Sequence, residues 1–230
     1  MSTTLHQPIG GGLYTVAEAA IYARVSPAMM NRWLFGSASG EPVFVPQYQK
    51  SDHKQVGFLD LVQALAIREI RLQRKVSLGK IRQAIRVARE NYRVDYPFAT
   101  KHRTYLFGDD VVIRLPGMDN EFVQITGRHR DQRMLEFVEM YLEDLSFDPN
   151  GLANRYHIFR SRHDKPVPVV MDPELRFGEP LLPSGYTALN IWDAIRSEGS
   201  ISNAANSYGI AVEEVEAAYQ FYNHLNTAAA

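Results

Sequence analysis

The 230-residue sequence contains no cysteine, which excludes disulfides, thiolate-bound metals and cysteine nucleophiles together. It has no apolar run near the roughly 18 residues that a membrane-spanning helix requires. No basic segment followed by an apolar one opens the chain, so the expectation is a soluble, cytoplasmic protein. Catalytic patterns are scarce too. No serine stands in a GxSxG turn, and Gly10-Gly11-Gly12 follows no strand and leads to no P-loop lysine. The seven histidines, His6, His53, His102, His129, His157, His163 and His224, show neither HxxxH nor HxH spacing, the patterns that bring two imidazoles to one metal. Asp109-Asp110 reads as a turn, where aspartate bonds its own backbone. A non-enzyme without metal or cofactor is therefore expected.

What the chain does have is enough apolar material, 45%, to fold, and a charge distribution that the net value of −1 conceals. From Arg68 to Arg103 there are 11 Lys plus Arg against 3 Asp plus Glu; from Met171 to the end the ratio is 2 to 8. These local values, +8 and −6, are what a partner feels at a Debye length of about 10 Å.

Residues 14 to 34 read as two short helices around a tight turn. Thr15 and Glu18 have capping-box spacing, Ser26 suits a second N-cap, and Pro27 suits a first helical position. Val16, Ala19, Ala20, Val25, Met29 and Trp33 form the expected core, which leaves Ala28, Asn31 and Arg32 outward. Val43 to Tyr48 is expected as a strand, with Val56-Gly57-Phe58 returning beside it as a two-stranded wing. Phe58, Leu61, Val62, Leu65 and Leu72 then share a helical face, flanked by Arg68, Arg71 and Lys75. Ser77 caps a further helix that buries Leu78, Ile81, Ile85, Ala88 and Tyr92. Arg82, Arg86, Arg89 and Arg93 line its flank.

Pro97 opens a mixed segment. Arg103–Phe107 and Val111–Leu115 are expected as a hairpin through Gly108-Asp109-Asp110, and Phe122–Ile125 as a further strand. Met134, Phe137, Val138, Tyr141 and Leu142 mark an amphipathic helix, and Tyr156–Phe159 a strand. Near the end, Ser200 caps a helix over Ile201–Tyr208, Gly209 supplies its left-handed stop, and Val212–Leu225 forms the last helix. That helix is expected to bury Val212, Val215, Ala218, Tyr219 and Tyr222 and to expose Glu213, Glu214 and Glu216. Three carboxylates are repelled by phosphates, so this second helical pair suits a protein partner instead.

From Tyr14 to Tyr92 the order of elements resembles the winged helix-turn-helix head of MerR-type regulators. The resemblance rests on Tyr14-Thr15-Val16-Ala17-Glu18-Ala19-Ala20, Val25-Ser26-Pro27, Trp33 and Val76-Ser77-Leu78-Gly79-Lys80-Ile81-Arg82. Where that family places polar readers, this chain carries Ala28, Met29 and Asn31. From Val169 to Tyr222, Met171-Asp172-Pro173-Glu174, Phe177-Gly178-Glu179-Pro180, Ser184-Gly185, Glu198-Gly199-Ser200, Ala204-Ala205, Tyr208-Gly209-Ile210 and Glu213-Glu214-Val215 resemble a formerly uncharacterised domain found in VapBC-class antitoxins. The partners of those antitoxins are PIN-domain ribonucleases.

The expected class is thus α+β and mainly helical. It comprises a tail at 1–12, a MerR-like domain at 13–96, a small mixed segment at 97–164, and a β-hairpin plus three-helix domain at 165–226, with Thr227–Ala230 as a second tail. The resemblance implies an antitoxin that neutralises a PIN-domain ribonuclease and represses its own operon, and a homodimer is expected because one helix-turn-helix head covers a single half-site. Operator DNA would meet Ser26, Ala28, Asn31, Arg32, Arg68, Arg71, Arg82, Arg86 and Arg89. The toxin, or a second copy, would meet Glu174, Glu179, Glu213, Glu214, Glu216, Tyr219 and Tyr222. A ligand-responsive MerR-type regulator and a protein-interaction adaptor are the alternatives.

Overall fold

In a computed structural model the described residues are 11–38, 40–48, 54–73, 75–101, 103–107, 110–114, 123–124, 135–136 and 144–228. The chain is mixed α+β, about half helical, with seven α-helices and small antiparallel sheets among those residues. No helix among them is long and apolar enough to cross a membrane. Two compact units divide the chain, one over Tyr14–Asn154 and one over Arg155–Ala230 together with Met1–Leu13.

Strand β1 (Leu13–Thr15) leads into α1 (Val16–Ala23). Thr15 and Glu18 cap each other's backbone, with Thr15 N–H donating to the Glu18 carboxylate at 2.7 Å and Glu18 N–H to Thr15 Oγ1 at 3.1 Å. Helix α1 stops at Arg24, whose left-handed φ of 52° lets its N–H reach the carbonyls of Ala20 and Ile21. Helix α2 (Pro27–Phe35) starts on Ser26, which accepts the Met29 N–H at 3.2 Å. Ala19, Ala20 and Ala23 let the two helices approach closely, over a core of Met30, Trp33 and Leu34. Of the two methionines of α2, Met30 and not the expected Met29 is fully inside.

The segment after α2 departs from the expected wing. Strand β2 (Gln55–Gly57) pairs with β1, and Val43–Tyr48 forms no strand. Pro42 and Pro46 cannot donate to a ladder, and the amide that follows each of them is engaged elsewhere. The Val43 N–H donates to Trp33 O at 2.6 Å, and the Gln47 N–H donates to the Asp60 carboxylate at 3.0 Å. Phe58, assigned to the wing by sequence, opens α3 (Phe58–Arg68). Asp60 sits in the first turn of that helix and also accepts the Gly57 N–H at 2.9 Å. A Cβ at Gly57 would meet the Gln47 carboxamide oxygen, so a side chain there would require Gln47 to move.

Helix α3 packs on α1 and α2 and runs into a π-helical turn over Glu69–Gln73. The wider turn shifts the helical phase, so Ile70 is buried and Leu72, expected inside, is 45% exposed. Ser77 then caps α4 (Leu78–Tyr92), which buries Ile81, Ala84, Ile85 and Ala88 and ends on left-handed Arg93. Beyond it, β3 (Arg103–Phe107) and β4 (Asp110–Arg114) pair antiparallel from Arg103 opposite Arg114 to Phe107 opposite Asp110. Strands β5 (Val123–Gln124) and β6 (Leu135–Glu136) complete a sheet in the order β5-β4-β3-β6. Leu135-Glu136 thus belongs to a strand where a helix was expected, its backbone bonds going to Tyr105 and Leu106. Met134, Phe137, Val138, Tyr141 and Leu142 lie outside the described residues, as do 1–10 of the expected tail. Strand β7 (Leu145–Phe147) leads to a turn in which Asp148 Oδ1 accepts the Leu152 N–H at 2.8 Å.

In the C-terminal unit, β8 (Ala153–Arg160), β9 (Pro168–Met171) and β10 (Pro180–Leu181) pair antiparallel in the order β8-β9-β10. Three helices follow: α5 (Ala188–Glu198), α6 (Ile201–Tyr208) and α7 (Val212–Ala228). Thr187 and Ser200 cap the first two, and Gly199 and Gly209, at φ of 79° and 63°, end them. Helix α7 packs on α5, α6 and β9 through Val215, Ala218, Phe221 and Leu225. Val212 and Tyr219, expected inside, are 41% and 44% exposed, and Phe221 holds the core position. The helix also continues past Thr227, where a tail was expected.

Burial raises the Asp60 pKa from 3.8 to about 7, with the Gly57 and Gln47 amides pulling the other way. A folded-state value above the unfolded one favours folding below the unfolded pKa, and that contribution is lost as pH rises through about 7. Asp60→Asn does not titrate. The stability of the wild type relative to this variant, measured by denaturant unfolding, is expected to fall between about pH 4 and pH 7 and to level off above. A difference independent of pH over that range would contradict the assignment.

Candidate functional site

Helix α2 is held by its Ser26 cap with one face outward, and that face presents Ala28 and Arg32 to solvent. The Ser26 hydroxyl, a proposed DNA contact, already accepts the Met29 amide. Half-buried Asn31 accepts a hydrogen bond from Lys54 Nζ at 2.8 Å. That ammonium also stands 5.3 Å from the Phe35 ring centroid, a cation–π distance. Lys54 therefore joins Asn31 and Arg32 on one surface. Sequence reasoning missed it because its place depends on the pairing of β2 with β1, a contact 40 residues apart in the chain that no local pattern encodes.

The arginines read as a phosphate-binding stripe divide into two kinds. Arg82 is a strut: its Nε and Nη2 donate to the carbonyls of Pro42 and Glu41, both at 2.9 Å, and tie α4 to the loop after α2. Arg68 reaches Arg24 O at 3.4 Å and the Glu69 carboxylate at 3.8 Å, bracing the end of α1. Arg71 donates to Val76 O at 3.4 Å across the π-helical turn. Arg86 and Arg89 are more exposed, 3.9 Å from Glu41 and 3.1 Å from Asp95 respectively. Surface pairs of that kind contribute about 0–1 kcal/mol and exchange readily for another anion. Lys75 and Arg93, both left-handed and exposed, add cationic charge at either end of α4.

The acidic candidates of the C-terminal unit divide likewise. Glu214 accepts the Ser184 N–H at 2.9 Å and fastens the start of α7 to the preceding turn. Glu216 lies 3.0 Å from His163 Nε2. Glu174, Glu179 and Glu213 are exposed. Glu213 and Glu214 fall in the first turn of α7, where the helix dipole favours negative charge. Of the aromatic candidates, Tyr219 is exposed, and half-buried Tyr222 packs on Trp192 with centroids 5.2 Å apart. An open groove of about 460 Å³ lies nearby, lined by Phe159, Arg162, Gln220, Asn223 and His224. Among the described residues no group of three or more His, Asp or Glu is placed to hold a metal ion.

No known protein family matches the chain, and no curated protein matches it. Among solved structures it is similar to the crystal structure of Rv2018 from Mycobacterium tuberculosis. The TM-score is 0.60 at 20% identity, over 90% of this chain and 96% of that one. A likeness at that identity concerns the fold.

The division among the arginines is open to measurement. Arg82→Ala leaves two carbonyls without their charged donor and should destabilise the N-terminal unit by about 1–3 kcal/mol. Arg86→Ala should fall within about 0.5 kcal/mol of the parent. Equal losses in thermal unfolding would refute the distinction.

Proposed function

We propose that the chain is the antitoxin of a type II toxin–antitoxin pair, which binds and neutralises a PIN-domain ribonuclease and represses its own operon by binding operator DNA. The observation that carries this reading is the separation of charge between two differently built surfaces. The N-terminal unit carries Arg32 and Lys54 on and beside the outward face of a short capped helix, with further cations along α4. Helix α2 is then the reading element of a MerR-like helix-turn-helix head. Ala28, Asn31 and Arg32 lie near base edges, and Lys54, Arg71, Arg86 and Arg89 near phosphates. In this arrangement Arg82 and Arg68 act by bracing the head, and Ser26 by capping the reading helix.

The C-terminal unit supplies the opposite sign. Its exposed Glu174, Glu179 and Glu213 suit a ribonuclease, whose RNA-binding groove has to be basic. Carboxylates on this surface compete with RNA for that groove, while the enzyme's own acidic metal pocket repels them, so neutralisation occurs by occlusion. A homodimer completes the reading, because paired heads are needed to span half-sites about 34–36 Å apart. A small-molecule sensor of MerR type has no need of an acidic terminal unit.

Two measurements test this. Binding of the full chain to DNA upstream of its own reading frame should weaken steeply with salt, and Lys54→Ala should reduce the log–log slope by about one. Addition of the chain should abolish RNA cleavage by the PIN-type ribonuclease encoded beside it. Salt-independent DNA binding, or cleavage that continues with the chain in excess, would refute the corresponding half of the proposal.

A further inference from the structure

The turn between β9 and β10 is rigid at its base and unusual at its tip. Asp172, buried at the end of β9, accepts Arg155 Nη2 at 2.8 Å and the Glu174 N–H at 3.0 Å through its carboxylate, and the Leu175 N–H at 3.0 Å through its carbonyl. Leu175 O then accepts the Gly178 N–H at 2.8 Å, and Arg176 O the Glu179 N–H at 3.1 Å. Met171 opposite Pro180 fixes both stems in the sheet. Within this closed frame Arg176 and Phe177 are consecutive left-handed residues, at φ of 46° and 56°. That conformation is disfavoured for a residue with a Cβ, and glycine or asparagine adopts it more easily.

Among the described residues neither side chain has a hydrogen bond, ion pair or ring contact to offset it. Phe177 is 78% exposed, the most exposed large apolar residue described, and Leu175 beside it is 50% exposed. Arg176 has no ion-pair partner among the described residues. Backbone held in a disfavoured region, by surroundings that over-determine it, marks a displayed feature. An exposed Phe beside an Arg is the residue pairing found at the centre of protein interfaces.

We infer that the Leu175-Arg176-Phe177 turn is the anchor by which this chain docks on its ribonuclease partner, with Phe177 entering an apolar pocket whose rim is basic; this rests on the antitoxin reading. The sign of the rim follows from the flanks. Glu174 and Glu179 stand exposed on either side of the tip, in a region of net charge −6, which disfavours a nucleic acid stacking on Phe177. Arg176 supplies the opposite charge at one point and fixes the orientation of the docked turn through a carboxylate or carbonyl of the partner.

The test uses the full chain and the PIN-type ribonuclease encoded beside it. Phe177→Gly removes the ring and relaxes the backbone, so the variant should unfold at the same temperature as the parent or higher. Its affinity for the ribonuclease, by calorimetry, should fall at least 10-fold, and that of Arg176→Gly about 3-fold or more. Phe177→Asn, which also tolerates the left-handed region, should reproduce the loss without deleting the side chain. Parent-like ribonuclease affinity in both Phe177 variants would overturn the inference while leaving the antitoxin reading intact. Loss of DNA or RNA binding by those variants with ribonuclease affinity unchanged would overturn it in favour of a nucleic-acid contact. Failure of the parent chain to bind the ribonuclease at all would overturn the antitoxin reading and this inference together.

Discussion

The N-terminal unit depends on one buried carboxylate. Asp60 is fully enclosed, yet it accepts backbone amides from both the loop after α2 and the end of β2. An orphaned buried N–H would cost about 1–3 kcal/mol. A carboxylate suits the position because both its oxygens accept and neither donates; an asparagine would turn an NH2 group toward at least one amide. Its charge is what burial resists, and the raised pKa expresses that conflict. The same constraint propagates. With Gln47 fixed by Asp60, the carbonyls of Glu41 and Pro42 stand where Arg82 reaches them, and α4 is tied to the loop by a charged donor. The Gly57 N–H ties the end of β2 to Asp60, and Lys54, just ahead of that strand, meets Asn31 on α2.

How much of this was legible depends on the distance in sequence over which each feature is decided. Helix starts were readable because a cap is a bond across three residues: Thr15 with Glu18, Ser26 with Met29, Ser77 with Lys80, Ser200 with Asn203. The stop at Gly209 was readable for the same reason. Strand partners were not. Three-residue strands such as β1 and β2 carry too few alternations to fix a period, and Val43–Tyr48 looked more strand-like than either. Pro46 offers no N–H to a ladder, and the donors Val43 and Gln47 are each taken by a distant acceptor. Leu135-Glu136 failed in the opposite sense, because two residues of strand lay inside an apolar pattern of helical spacing. Leu72 was misplaced because a π-helical turn leaves no mark in a period of 3.6.

The candidate sites show the same limit applied to charge. Helical spacing correctly put Arg82, Arg86 and Arg89 along α4, but spacing is silent about what stands opposite. A guanidinium is a fork that fits paired carbonyls, and Arg82 finds them within the unit. The glutamates of α7 are comparable: Glu214 and Glu216 are engaged by Ser184 and His163 of the same unit. A row of like charges therefore overstates the charge available to a partner. What remains for one is the subset whose own unit offers only an exchangeable surface pair or nothing better, Arg32, Arg86 and Arg89 on one side and Glu174, Glu179 and Glu213 on the other.

Backbone conformation sorts in the same way. Among non-glycine residues at positive φ, Arg24 and Arg93 terminate helices, and their amides each close on two carbonyls of the last helical turn. There the left-handed residue is offset where it occurs, as at any helix C-terminus. Arg176 and Phe177 terminate no α-helix. Their turn is closed by Gly178 and Glu179 amides, a pattern that glycine at either tip position would satisfy with less strain. The strain at Arg24 and Arg93 has its explanation inside the fold. At the tip of the β9–β10 turn the fold supplies none, so the reason for a phenylalanine there lies outside the unit that displays it.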